Sequence, residues 1–225
     1  MPVYAWPSDQ WGWAEHSLRV APITQSSVSP YTGSAKSSSL GSLWMCSFVL
    51  PAQSDDSAFA LQSFLDLLEG SVSPVLIYDR KRQIPRALMS SAPILWSGGI
   101  TWSGGIAWSG SAWSTLVSVS GLRGQRSATI QGFPALTSVL YKGDKFGING
   151  YLYEVTEDAK ANVSGIATVQ FIPGLRQGVV NGDPVVLSRP TVKMYMTPDS
   201  DQAVRQGRVN TVGGIALNFV EAIDL

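Results

Sequence analysis

One cysteine and one histidine are the only residues of their kinds in this sequence of 225 residues. A cysteine nucleophile needs a nearby base, so Cys46 and His16 form the only candidate pair. Cys46 lies in a predicted strand between Trp44 and Phe48, which favours a buried structural thiol. A single histidine excludes a multi-histidine metal cluster, and a single cysteine excludes an intrachain disulfide and a CxxC zinc site. We therefore predict no catalytic residue, no metal and no cofactor.

Other groups of charged residues have simpler explanations than catalysis. The sequence contains no GxSxG, HExxH, P-loop or GxGxxG pattern. Asp55 and Asp56 suit the positive end of a helix dipole better than a carboxylate pair. The run Arg80-Lys81-Arg82 could contact phosphate, but a solvated hairpin tip is favoured, followed by a charge contact with a neighbouring subunit. Arg80, Lys81 and Arg82 are therefore candidate interface residues.

A tryptophan repeat between residues 95 and 114, LWSGGITWSGGIAWSGSAWS, is the most unusual feature. Three tryptophans recur every six residues, each followed by Ser-Gly, and an even period places the rings on one side of an extended chain. The repeat has no charged or amide side chain to orient a sugar. Packing on the protein's own sheet is favoured, then an inter-subunit contact, then a sugar-stacking platform. The candidate interface residues here are Trp96, Trp102, Trp108 and Trp113.

The composition argues against several classes of protein. Charged residues make up 14% of the chain, against about 25% in an ordinary soluble domain. Sixteen basic and sixteen acidic residues cancel, which predicts a poor electrostatic trap for DNA or RNA. So few charges suggest that partner subunits cover much of the surface. We expect no membrane-spanning helix and no secretory signal at the start of the sequence.

The periodicity of the apolar residues indicates a mainly β protein. Leu43–Leu50 is predicted to form a strand with apolar residues on both faces, which suggests a central, covered strand. Residues 54–69 carry the only convincing helix, with Ser54 or Asp55 as its cap and Gly70 closing it. The face of this helix predicted to pack on the sheet comprises Ala58, Leu61, Leu65 and Leu68.

A hairpin is predicted in the second half of the sequence, at DKFGINGYLYEV. Asn149-Gly150 accepts the positive φ angles of a type I′ turn. This turn pairs Ile148 with Tyr151 and Phe146 with Tyr153, and it places Lys145 on the other face. Further short strands follow at regular spacing, which indicates β-sandwich and β-barrel architecture.

The segment from Ser26 to Ser42 is mostly serine, glycine and other small residues. It has little apolar surface to bury, so we interpret it as a loop or extended arm. Such an arm is expected to become ordered only against a neighbour.

The stretch from Tyr141 to Leu187 resembles distal tail and related tail-tip proteins of long-tailed bacteriophages and gene-transfer-agent-like particles. A Lys-x-Gly-Asp start leads to a hairpin ending Leu-Tyr-x-Val, followed by an Asp-Ala-x-Ala-x-x-x-Gly-x-Ala-Thr-Val strand and a Pro-x-Leu-Arg turn. The first half of the chain resembles the tube-like domain of the same proteins, because a strand ending Leu50-Pro51 precedes a helix ending Leu-Leu-Glu-Gly. The WSGG repeats and the closing LNFVEAI are similar to the same proteins. The resemblance covers most of the chain and is made of short motifs.

The resemblance implies a tail-tube-like β-sandwich with one flanking α-helix, plus a small β-barrel-like domain. The expected boundaries are 1–115 with 191–225 for the tube-like domain, and 116–190 for the inserted barrel. It further implies a structural virion protein, without enzymatic activity, that forms a hexameric ring at the distal end of the tail tube. The ring would continue the DNA channel and bind the tube protein, the tail-tip hub and the fibre or receptor-binding proteins. It implies no sequence-specific nucleic-acid binding and no membrane insertion. The expected location is the virion tail tip, after assembly in the host cytoplasm.

Two other functions remain open. A carbohydrate-binding β-sandwich would use the tryptophan repeat as a stacking platform. A hydrolase with an unrecognised site is the weaker alternative. Rings of the purified protein would favour the tail protein, whereas glycan-binding monomers would favour the carbohydrate-binding module.

Overall fold

The computed structural model describes residues 2–7, 11, 14–28, 30–31, 33–51, 53–91, 113–198, 200, 211–212 and 215–223. The chain divides into two compact units, one formed by residues 1–77 with 192–225 and the other by residues 78–191. The chain therefore leaves the first unit at residue 77 and returns to it at residue 192. This is the topology of an inserted unit.

The described residues form sixteen strands and two helices. Up to the second helix they are β1 (Tyr4–Ala5), β2 (Glu15–Val28), β3 (Ala35–Leu50), β4 (Gln53–Ser54), α1 (Asp55–Leu67), β5 (Val75–Tyr78) and α2 (Arg86–Ser91). Then follow β6 (Thr115–Val117), β7 (Ser127–Gln131), β8 (Ser138–Leu140), β9 (Lys145–Ile148), β10 (Tyr151–Val155), β11 (Ala159–Lys160), β12 (Ile166–Ile172) and β13 (Pro184–Val186). The chain ends with β14 (Thr191–Met196), β15 (Thr211–Val212) and β16 (Ile215–Glu221). The protein is mainly β, as predicted. None of the described helices is long and apolar enough to cross a membrane.

A six-stranded sheet in the order β1-β5-β14-β16-β3-β2 organises the first unit. β3 pairs antiparallel with both β16 and β2, so it is a central strand as the sequence predicts. Successive side chains of a strand point to opposite faces. One face of β3 and β16 is accordingly buried, and it carries Trp44, Cys46, Phe48, Leu50, Ile215, Leu217 and Phe219.

An aromatic cluster joins α1 to this buried face. The ring of Trp6 lies 5.6 Å from that of Phe64 on α1, 4.6 Å from Phe48 on β3 and 6.2 Å from Phe219 on β16. Trp11 completes the cluster, 5.7 Å from Phe64. The predicted helix face is buried, which confirms the periodicity argument. Its members are Ala58, Leu61, Leu65 and Leu68.

Three expectations for the first unit need correction. The second face of β3 is not covered, since Met45 is 41% exposed and Ser47 is also exposed. Ser54 stands at the N-cap position of α1 but makes no side-chain capping hydrogen bond. The described part of this unit has one large sheet covered by a helix, with β4 and β15 as a separate short pair, rather than two packed sheets. The aromatic cluster and α1 occupy the face on which a second sheet would pack.

The second unit contains a closed barrel in the order β10-β12-β7-β6-β13-β9. The predicted hairpin is confirmed, with Ile148 opposite Tyr151 and Phe146 opposite Tyr153. Asn149 and Gly150 have φ angles of 51° and 81°, as a type I′ turn requires. The barrel is filled by branched aliphatic and aromatic side chains, among them Val117, Ile130, Phe146, Ile148, Tyr153, Val169 and Phe171.

The second unit begins at residue 78, whereas the sequence analysis places its start at residue 116. Two contacts explain the difference. The Asp79 carboxylate lies 2.6 Å from the Lys145 ammonium on β9, and Leu88 on α2 packs against the barrel core. α2 itself is a second helix that the sequence analysis does not predict. The end of the insertion, between residues 191 and 192, lies one residue from the expected position.

The predicted arm is a two-stranded ribbon formed by the distal parts of β2 and β3. The two strands stay paired to Val28 and Ala35, and a bulge interrupts their register after Ile23. Every described side chain from residue 22 to residue 39 is exposed. The ribbon therefore has backbone pairing but no apolar core of its own.

Candidate functional site

Cys46 and His16 do not form a reactive pair that a substrate could reach. Cys46 is buried on the covered face of β3. His16 lies opposite Phe48, whereas Cys46 lies opposite Leu18, so the two residues occupy different rows of the sheet. A buried thiol of this kind behaves as a small apolar side chain.

Arg82, the last residue of the basic run, is half-buried and pairs with a buried carboxylate of the second unit. Its guanidinium Nη1 lies 3.4 Å from Asp144 Oδ1, and the side chain of Asp144 is fully buried. Arg86 Nε lies 3.4 Å from the same oxygen. The Tyr141 backbone N–H donates to the other carboxylate oxygen at 2.8 Å. Arg82 therefore has a structural contact within its own chain, and its predicted interface role stays a prediction.

The rest of the basic run is placed differently. Lys81 is exposed, and its backbone N–H donates to Asp79 Oδ1 at 2.9 Å. Arg80 is half-buried. The run is thus a turn held by the carboxylates of Asp79 and Asp144, and Lys81 is its one exposed member.

The ion pair of Asp79 with Lys145 is a feature that the sequence analysis misses. Both side chains are about nine-tenths buried, with 10% and 8% exposed, and Lys145 Nζ donates to Asp79 Oδ2 at 2.6 Å. A charged side chain that is buried to this extent is stable only when an opposite charge is paired with it. The two residues are 66 positions apart in the sequence. The only sequence signal is the lysine itself, placed within an apolar hairpin.

Trp113 is the one candidate tryptophan within the described residues. Its ring is half-buried and lies edge-on to Phe133, with centroids 5.6 Å apart. It packs against the barrel core of its own chain. Trp96, Trp102 and Trp108 lie outside the described residues.

A shallow groove of about 220 Å³ crosses the uncovered face of the sheet. Arg19 and the hydroxyl groups of Ser17, Ser47 and Thr197 line it, together with the amide of Asn218. These groups could hydrogen-bond an anionic or hydroxylated ligand. No carboxylate or imidazole lines the groove, so it has no general base. In the described part of the chain, no three His, Cys, Asp or Glu side chains converge to hold a metal ion.

Charge is divided unequally between the two units, although the whole chain is neutral. Residues 78–191 contain eleven Lys and Arg against six Asp and Glu. Residues 1–77 and 192–225 contain five against ten. The overall composition therefore conceals an acidic unit and a basic unit. Such opposite charge favours association between complementary surfaces.

The sequence matches no protein-family model, and a search of curated proteins finds no similar sequence.

Proposed function

We propose that this chain is a structural protein of a phage-type tail tip, and that six copies form a ring at the distal end of the tail tube. The ring continues the DNA channel and connects the tube to the hub and the receptor-binding proteins. It acts through protein contacts and catalyses no reaction. The proposal combines the family resemblance of the sequence with the surfaces that the fold leaves without a partner.

The observation that carries the proposal is the open edge of β2. This strand has 14 residues and stands at the end of the sheet, so one edge has no strand partner among the described residues. A long open edge exposes unpaired N–H and C=O groups to association. A closed ring covers such an edge in every subunit by the same contact.

The exposed ribbon supports the same conclusion. A two-stranded hairpin without a packed face is marginal in water. Val28 and Tyr31 lie at its tip, and Tyr31 is 95% exposed. An exposed tyrosine at the end of an arm is a suitable anchor for a neighbouring subunit.

Mass photometry and negative-stain images of the full-length protein test the proposal. We expect particles of six times the chain mass of 24.1 kDa, seen as rings. The variant Val28→Asp with Tyr31→Asp should remain folded but lose the rings, because both residues are exposed in the single chain. Val163→Asp, also at an exposed aliphatic residue, is the matched control and should keep them. A wild-type protein that stays monomeric at every concentration would contradict the proposal.

The alternative, a carbohydrate-binding module, gives a different outcome in the same experiment. It requires monomers that bind host-surface glycan through the tryptophan repeat. In the described part of the repeat, the ring of Trp113 is occupied by its contact with Phe133. The groove beside Arg19 has hydroxyl groups but no exposed aromatic ring among its lining residues. We therefore retain the ring-forming role as the proposed function.

A further inference from the structure

The end of the barrel at which three connections meet has an unusual surface. We define the arginine end as residues 118–126 and 173–183 with the turn at Asn149-Gly150. Val119, Leu122 and Val180 all project into solvent here, and Leu122 is 74% exposed. Exposed aliphatic side chains grouped in this way typically mark an interaction surface.

Backbone hydrogen bonds fix the shape of the arginine end. Gly121 and Val179 exchange two backbone hydrogen bonds of 2.9 Å. The Gly124 N–H donates to the Leu175 carbonyl at 2.8 Å, and the Leu175 N–H donates to the Gln125 carbonyl at 2.8 Å. The two connections thus form one ordered surface. A preorganised surface loses less conformational entropy on binding.

The charge of this surface is positive. Arg123 and Arg126 are exposed and take part in no ion pair among the described residues, and Arg176 lies on the second connection. The only acidic residue of the arginine end is Asp183. Its carboxylate already accepts hydrogen bonds from Asn149 Nδ2 at 2.8 Å and from the Val180 N–H at 2.9 Å. The guanidinium groups of Arg123 and Arg126 remain available to carboxylates of a partner.

The exposed face of α1 has the complementary character. Asp56, Phe59, Ser63, Asp66 and Leu67 lie within one third of the helix circumference, because residues three, four and seven apart share a face. All five are exposed, and Phe59 is 60% exposed. The helix has no lysine or arginine. Its outer face therefore combines two carboxylates with two large apolar side chains.

We propose that the arginine end of one copy docks on the exposed face of α1 of a second copy. This inference rests on the proposed ring-forming function and names the contact between subunits. Val119, Leu122 and Val180 pack against Phe59 and Leu67, while Arg123 and Arg126 pair with Asp56 and Asp66. The two surfaces differ, so the contact is heterologous and can close into a ring.

A nucleic acid is a poorer occupant of the arginine end. Proteins that hold single strands combine positive charge with aromatic rings on which bases stack. The exposed apolar residues here are aliphatic, and residues 118–126 and 173–183 contain no aromatic side chain. An apolar protein surface edged by carboxylates fits this combination better.

A charge-reversal experiment with the full-length protein tests the contact. One variant carries Arg123→Glu with Arg126→Glu, and the other carries Asp56→Lys with Asp66→Lys. Each variant alone sets like charges against each other and should raise the concentration for half-assembly about tenfold or more. A mixture of the two restores both kinds of pair and should form rings in which the variants alternate. Mass photometry measures assembly, and thermal melts show that each variant is folded.

The possible results separate the inference from the proposed function. If the wild-type protein forms rings and the arginine variant forms them equally well, the contact is overturned but the ring-forming role is left intact. Variants that both lose rings and do not regain them on mixing would overturn docking on α1. A wild-type monomer would overturn both. If the arginine variant keeps its rings but loses binding to a fluorescent DNA oligonucleotide, the arginine end binds nucleic acid. The proposed contact with α1 is then wrong.

Discussion

Asp183 connects the hairpin turn of the barrel to the turn before β13. The backbone N–H of Val180 and the side-chain amide of Asn149 both donate to its carboxylate. These hydrogen bonds, the Val180 bond above all, lower the pKa of Asp183 below its ordinary value, against a smaller opposing effect of burial. A charged acceptor is favoured by such donors because protonation removes an acceptor site.

This lowered pKa predicts a pH dependence of stability. A carboxyl group with a lower pKa in the folded state stabilises the fold above its ordinary pKa, and the effect is lost as the pH falls through the folded pKa. The stability difference between wild type and Asp183→Asn should therefore shrink on acidification from neutral pH. Urea unfolding at a series of pH values measures it. Glu157→Gln, at an exposed carboxylate, is the control, and an equal pH trend in both variants would contradict the prediction.

The buried pair of Asp79 and Lys145 predicts a second residue-scale effect. Asp79→Ala leaves the Lys145 ammonium buried without its carboxylate, so we expect a loss of about 3–5 kcal/mol in the free energy of unfolding. The double variant Asp79→Ala with Lys145→Met should recover most of that loss, because no buried charge remains. Denaturant unfolding measures both variants. A double variant as unstable as Asp79→Ala would show that the charge is not the cause.

At the scale of elements, α1 is stabilised by its packing more than by its caps. It has no side-chain cap at Ser54, yet its inner face, with Ala58, Leu61, Leu65 and Leu68, is buried. Leu65→Ala should therefore cost about 2–5 kcal/mol, the range for a buried large-to-small change. Ser63→Ala on the exposed face should stay within about 0.5 kcal/mol. A thermal melt that does not separate the two variants would contradict this packing.

The ribbon of β2 and β3 should differ in stability from the sheet that it extends. Its described side chains are exposed, so its hydrogen bonds have no apolar packing to protect them. We expect fast amide hydrogen exchange at residues 24–28 and 35–39 in the isolated chain, and slow exchange in the proposed ring. Residues 44–50 of β3 provide the internal reference. Strong protection of the ribbon in a monomer would refute the idea that a neighbour stabilises it.

At the scale of the whole molecule, the separation of charge matters more than its sum. A neutral chain gives no reason to expect electrostatic steering, yet an acidic unit and a basic unit in one chain agree with the proposed association of copies. The same separation predicts that ring assembly weakens with salt, because exposed charge pairs are screened. The low total charge is thus compatible with specific electrostatic contacts between subunits.

The tryptophan repeat also belongs to this scale, because its predicted role is packing or assembly. Burying each indole removes about 150–250 Å² from water, so exposed rings would leave an adhesive patch. Trp102→Ala with Trp108→Ala should therefore weaken folding or ring assembly, measured by thermal melts and mass photometry. A double variant that assembles normally but no longer binds host-surface glycan would instead favour the carbohydrate-binding module.

Local sequence alone determined two features of this protein. The Asn149-Gly150 turn selected the hairpin register, and the helical spacing of Leu61, Leu65 and Leu68 selected the buried face of α1. These features depend on residues that are close in sequence, through backbone conformation and side-chain direction. Reasoning from neighbours is sufficient for them.

Only the tertiary structure decided which surfaces are covered and which distant residues meet. The alternation of β3 indicated two apolar faces, but the aromatic cluster around Trp6 covers just one of them. The hairpin pattern placed Lys145 on the face opposite the apolar stripe, but only the fold brings Asp79, 66 residues away, against it. Burial and ion pairing depend on chain closure between remote segments, and periodicity carries no information about that closure.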